Sequence, residues 1–144
     1  MPSHFVAHVP QSQQMSCWAA ASAMLLGWRD SVCYTDETIL QQFPQFGTDG
    51  QDEAECRVMV KELGMYEHPE LCRTAAAWWQ VLEAGPVMVA IPGHWIVISA
   101  IEGDDTEGYQ MYVLDPAAGE GWSTYEQVEQ AYELDTLACD MLQL

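Results

Sequence analysis

The sequence predicts a single-domain α+β fold, and three observations carry that prediction. The first half of the chain holds Ala-, Leu- and Glu-rich stretches bounded by capping residues and glycine stops. The second half holds three short runs rich in Val, Ile and Tyr, separated by Pro-Gly, acidic and Asp-Pro turns. Strand and helix do not alternate as a doubly wound parallel sheet requires, so the helical half is expected to pack on an antiparallel sheet. A chain of 144 residues suits one domain spanning 1–144 and buries enough surface to fold without a disulfide or a metal.

Pro2 to Ser16 has no apolar period and is rich in Gln and Ser, so it reads as an extended lead-in. Cys17 to Trp28 (CWAAASAMLLGW) has high helix propensity, is apolar on most faces and is expected to be buried, with Ser16 as its N-cap. Thr35 opens a second helix whose Asp36 and Glu37 suit the positive N-terminal end. Pro44, Gly47 and Gly50 mark a turn region. A third helix runs from Asp52 to Leu63 and stops at Gly64, and a fourth is capped by Thr74 and ends at Gly85-Pro86. Strands then follow over Pro86–Ile91, His94–Ile101 and Tyr109–Leu114, with Pro92-Gly93 as the first turn and Glu102 to Gly108 as an acidic second turn. Ser123 or Thr124 begins a short helix, YEQVEQAY, and Leu134 to Leu144 is a last strand.

Charge excludes some functions. There are 22 Asp and Glu against 4 Lys and Arg, a net charge of −18. Such a chain repels nucleic acid phosphates and anionic membrane surfaces, and favours encounter with basic proteins. No apolar run is long enough to span a bilayer, and the first ten residues lack the basic and apolar regions of a signal peptide. Export, where it occurs, is therefore expected to follow another route, and the abrupt start at Met1 fits a domain cut from a longer chain. Five cysteines, an odd number with no C-x-x-C pair and no zinc-ligand spacing, fit a reducing workplace. Cys33, Cys56, Cys72 and Cys139 read as small buried hydrophobes.

Cys17 differs from the other four. It stands at the predicted start of a buried helix, where free backbone N–H groups and the helix dipole favour a thiolate. A histidine must exchange the proton, and a third group must orient that histidine. His94 opens a strand directly after Pro92-Gly93, and Asp115 ends the next strand, so antiparallel pairing brings the two ends together. Gln11 carries an amide NH₂ suited to a developing oxyanion, with the Cys17 N–H as a second donor. His4 and His8 read as solvated lead-in residues and His68 as a loop residue. Gln13 and Gln14 compete with Gln11 for the oxyanion role.

The stretch VPQSQQMSCWAAASAML resembles the nucleophile segment of papain-like cysteine proteases, and is most similar to the AvrRpt2-like and C39-like peptidases of bacteria. The segments GPVMVAIPGHWIVISAIEGDD and YVLDPAAGEGWSTYEQV resemble the same families' His and Asp segments. The resemblance covers about Val9 to Tyr132. It implies a compact papain-like fold with Cys17 as nucleophile, His94 as base and acid, Asp115 as orienter and Gln11, six residues before Cys17, as oxyanion donor. No metal or organic cofactor is implied. It also implies a protein substrate, a reduced substrate groove, and a bacterial effector or toxin domain acting in a target cell, held in check in its producer by an immunity protein with a basic surface. The same triad supports deamidation, transglutamination or peptidoglycan amide hydrolysis, and an inactive binding module would keep the fold alone.

Overall fold

The computed structural model describes residues 1–46, 51–68, 74–134 and 141–144. Helix α1 (Cys17–Asp30) is the centre of the molecule, with every residue from Cys17 to Leu26 buried. Its small Ala19, Ala20, Ala21 and Ala23 let α2 (Asp36–Gln42) and the sheet approach closely. Ser22, inside this apolar helix, gives its hydroxyl proton to the Trp18 carbonyl at 2.8 Å, so no polar group is orphaned. The helix continues two residues past the expected Trp28 and ends at Ser31 in the left-handed conformation.

Helix α3 (Glu53–Leu63) begins with a full capping box, Asp52 with Glu55, and ends at Gly64 with φ +68. Thr74 caps α4 (Ala75–Ala84) through the Ala77 N–H, as the sequence indicates. Helix α5 (Tyr125–Ala131) has a capping box from Thr124 and Gln127. Each such cap contributes about 1 kcal/mol. Ser16 and Thr35 hold the N-cap positions of α1 and α2, but neither side chain caps a backbone N–H of its helix. The Ser16 hydroxyl has another partner, described below.

Six strands form one antiparallel sheet in the order β1-β6-β2-β3-β4-β5. They are β1 (Tyr66–His68), β2 (Val87–Ile91), β3 (His94–Asp104), β4 (Gly108–Asp115), β5 (Gly119–Thr124) and β6 (Met141–Gln143). Two of these, β1 and β5, were not expected. The first is three residues long and pairs with β6, and the second is glycine-rich with little apolar pattern, so neither carries a period that marks a strand. The final strand is shorter than Leu134–Leu144, of which 135–140 lies outside the described residues.

The sheet is covered on both faces, which explains why β2 and β3 are continuously apolar rather than alternating. Met88, Val97, Leu114 and Leu142 pack with α1 in one core. Val87, Val89, Ile96, Ile98, Met111 and Val113 pack with Trp78 and Leu82 of α4 and Val128 of α5 in the other. The helical half is therefore split, because α4 crosses to the face opposite α1. An irregularity between Ile98 and Ala100 shifts the register there. Ile98 and Ile101 consequently share one core although they are an odd number apart.

The lead-in is fixed rather than solvated. His4 N–H donates to the Ser99 carbonyl at 3.0 Å, and Ile101 N–H donates to the Pro2 carbonyl at 3.1 Å. Val6 and Val9 are buried in the α1 core. His4 Nε2 bonds the Leu82 carbonyl at 2.6 Å. His68 lies in β1 and bonds Gln143 at 2.8 Å. The cysteine expectation also changes: Cys33 is exposed and Cys56 half-buried, while Cys72 and Cys139 lie outside the described residues. Among the described residues no helix is long and apolar enough to cross a membrane.

Candidate active site

Burial of α1 under the sheet brings its first residue to the mouth of the β2–β3 hairpin. That hairpin turns through Pro92 and Gly93 alone, since Ile91 pairs with His94. Gly93 has φ +71, which a residue with a side chain adopts only with strain. The tight turn places His94 at the strand start, facing Cys17. At the same end of the neighbouring strand, β4 finishes at Asp115.

The structure brings Cys17, His94 and Asp115 into one hydrogen-bonded line. His94 Nε2 meets Asp115 Oδ1 at 2.7 Å, and the imidazole also hydrogen-bonds Cys17. With Nε2 occupied by the carboxylate, the nitrogen left for the sulfur is Nδ1. Cys17 is 6% exposed and His94 is partly exposed, so the pair forms the floor of a cleft of about 520 Å³. Trp18 and Trp95 line this cleft beside them, facing Gln51, Asp52, Arg57 and Val60 across it. Trp18 is held edge-on by Phe43 and Phe46, with ring centroids at 6.2 and 5.6 Å. Phe43 and Phe46 thus pack against the residue that follows Cys17.

Electrostatics sharpen the pair. The hydrogen bond with Cys17 raises His94 most; burial opposes it, and the bond and charge of Asp115 add to it, so His94 stands at about 9. At neutral pH the ring is an imidazolium beside the Cys17 sulfur. Burial alone would raise the Asp115 carboxyl, but donors from His94, Ala117 N–H and the Tyr132 hydroxyl outweigh it and hold it below its usual 3.8. Chemically, this arrangement offers a nucleophilic sulfur, a proton donor within reach and a fixed anion behind it.

The sequence reading missed two partners of Asp115. Tyr132, at the end of α5, donates its hydroxyl to Asp115 Oδ2 at 2.9 Å, and burial followed by this bond pushes the phenol up to about 12. His8 Nε2 bonds the Asp115 backbone carbonyl at 2.7 Å. Neither carries a sequence signal of its own, although a buried carboxylate facing one histidine leaves an oxygen that needs a donor. Tyr132→Phe removes only that donor. It should lower kcat several-fold with little change in KM, and a steady-state comparison of the two parameters checks this.

Gln11 begins the loop that leads into Cys17, and both its amide hydrogens are committed within that loop. Nε2 donates to the Gln13 carbonyl at 2.9 Å and to the Gln14 carbonyl at 2.8 Å. Its Oε1 is buried and has no hydrogen-bond partner among the described residues. Among the described residues no group of His, Cys, Asp and Glu side chains is arranged to hold a metal ion.

A thiol at a helix start paired with an imidazole at the end of a strand of an antiparallel sheet is the arrangement of the papain-like cysteine proteases. The family model described as "Papain-like cysteine protease AvrRpt2" matches residues 3–131, and the chain belongs to this family. Among solved structures it is similar to a double glycine motif protease from an AMS/PCAT transporter, determined in complex with the leader peptide. The identity is 17%, the TM-score 0.67, and the match covers 98% of this chain and 91% of that one. At that identity the likeness speaks for the fold. No curated protein sequence matches the chain.

Proposed function

We propose that this cysteine protease is an endopeptidase using Cys17 as nucleophile, His94 as acid and base, and Asp115 as orienter. The observation that carries this reading is the unbroken line from Cys17 through His94 to Asp115 at the floor of an open cleft. The thiolate adds to a peptide carbonyl, and the C=O electron pair moves onto oxygen. His94 Nδ1 gives its proton to the leaving amine as the C–N bond breaks, forming an acyl-enzyme. The neutral imidazole then takes a proton from water, whose oxygen displaces the sulfur.

The oxyanion would rest on the Cys17 N–H, which has no carbonyl upstream within the helix. The Gln11 amide would join it after release from the Gln13 and Gln14 carbonyls. Gln11→Ala should then lower kcat by about 10²-fold with KM nearly unchanged. The same loss in Gln13→Ala with none in Gln11→Ala would transfer the role to Gln13.

We propose further that the domain acts as a bacterial effector on a protein of a target cell, with a basic inhibitor in the producer. The net charge of −18 supports a basic partner, whose association rate should fall steeply as salt rises. The deciding experiment compares protein N-termini, by mass spectrometry, in cells expressing the wild type and Cys17→Ala. New N-termini confined to the wild type support cleavage. A one-dalton gain or a cross-link in place of new N-termini would replace endopeptidase with deamidase or transglutaminase.

A further inference from the structure

Asp36 is buried to 2% exposure, and the line from Cys17 to Asp115 does not use it. It is the first residue of α2, where an acid reads as an ordinary partner of the helix dipole. Its Oδ2 instead collects three donors from the loop that delivers the nucleophile. Ser12 N–H donates at 2.6 Å, the Ser12 hydroxyl at 2.8 Å and the Ser16 hydroxyl at 2.8 Å. Ser16 has a single hydroxyl proton, and its contact with the Gln13 carbonyl is longer, at 3.1 Å. The proton therefore goes to the carboxylate, and the Ser16 oxygen accepts the Gln13 N–H at 3.1 Å. At its other end the loop is tied by Gln11 N–H to the Pro116 carbonyl at 3.0 Å, one residue beyond Asp115.

The loop from Gln11 to Ser16 is thus stretched between two anchors, Asp36 and the turn behind Asp115. It carries Gln11 at one end and runs directly into Cys17 at the other. Helix propensity fixes neither the direction of this loop nor the angle at which it enters α1, because the Ser16 side chain makes no capping bond to its own helix. A charged acceptor meeting three donors at 2.6–2.8 Å supplies a strong constraint of that kind.

From this geometry we propose that Asp36 is a positioning residue of the active site: through Ser12 and Ser16 it sets the loop that places the oxyanion donors of Gln11 and Cys17. The assignment rests on the endopeptidase reading for its effect on turnover, but not for its effect on the loop. Asp36 touches no reacting atom. Its removal should disturb oxyanion stabilisation and leave the sulfur's reactivity toward a reagent that needs no oxyanion site.

The test uses Asp36→Ala, Asp36→Asn and Ser12→Ala beside the wild type. Three readouts are taken: turnover of a quenched fluorescent peptide made from the strongest cleavage site in the N-terminal survey, inactivation by iodoacetamide, and hydrogen exchange at the Ser12 amide. Asp36→Ala should lose about 10²-fold in kcat with KM and alkylation rate within about twofold of wild type, and its Ser12 amide should exchange faster. Asp36→Asn keeps an acceptor oxygen and should recover much of that loss, and Ser12→Ala should fall between. Wild-type turnover in Asp36→Ala overturns the proposal. So does a parallel loss of turnover and alkylation with a lowered Tm in all three variants, since that marks a residue of the fold alone. A wild type that alkylates at Cys17 but cleaves no peptide would refute the endopeptidase reading. The Ser12 amide then decides by itself: faster exchange in Asp36→Ala upholds the anchor, and unchanged exchange removes it.

Discussion

Cys17→Ala and His94→Ala should each lower peptide turnover by about 10⁶-fold, the size of loss seen when a nucleophile or its base is removed from a hydrolase triad. The two losses should not add, because each variant already disables the same step. Cys17 supplies the only sulfur hydrogen-bonded to His94 among the described residues. Exposed Cys33 lies at the opposite end of α1, past its C-terminal Asp30. It therefore cannot substitute. His94 makes no contribution to the hydrophobic cores, so His94→Ala should keep the wild-type circular dichroism. Near-wild-type turnover in a folded His94→Ala would remove the mechanism.

Asp115→Ala should cost about 10⁴-fold, some two decades less, since His94 still carries the proton without a fixed orientation. It should also move the His94 titration. In the wild type an NMR titration of the ring should place its midpoint at about 9, and removing Asp115 should lower it toward 6.5. Cys17→Ala should lower it as well, because the bond to Cys17 is the largest raising cause. A midpoint that both variants leave at about 9 would mean that neither partner sets the charge on the ring. For the wild type, peptide turnover should fall as pH rises through about 9, where the leaving amine loses its proton donor. Iodoacetamide labelling should not fall there, since it needs the thiolate alone.

The same shifts bear on stability. His94 binds its proton more tightly folded than unfolded, so its contribution is complete below 6.5 and disappears as pH rises through about 9. Asp115 binds its proton less tightly when folded. Its contribution is present above 3.8 and is lost as pH falls through its depressed value. The His94–Asp115 pair therefore stabilises the fold most between these limits. Asp115→Ala should remove the acid-side part, and urea midpoints measured across pH would show it.

Five helices, three strands and the α+β class were legible because they rest on local physics. Alanine-rich composition and the Asp52, Thr74 and Thr124 caps mark helices, and the β-branched runs of β2 and β3 and the Pro92-Gly93 turn mark a hairpin. Cys17, His94 and Asp115 were legible because each sits at the end of such an element, and element ends are where pairing rules predict proximity. β1 and β5 were not legible, since their pairing partners lie elsewhere in the chain and their own residues carry no period. Nor was the crossing of α4 to the far face, because an apolar stripe reports that a surface is covered and not which surface covers it. The same limit applies to the polar partners. Nothing on the strand that ends at Asp115 announces Tyr132 or His8, and Ser16 reads as a cap until its hydroxyl is seen to donate to Asp36. A buried carboxylate must find donors, but which donors reach it depends on how distant segments dock. In this protein the sequence by itself determined which residues can do chemistry, and only the tertiary structure decided which residues hold them in place.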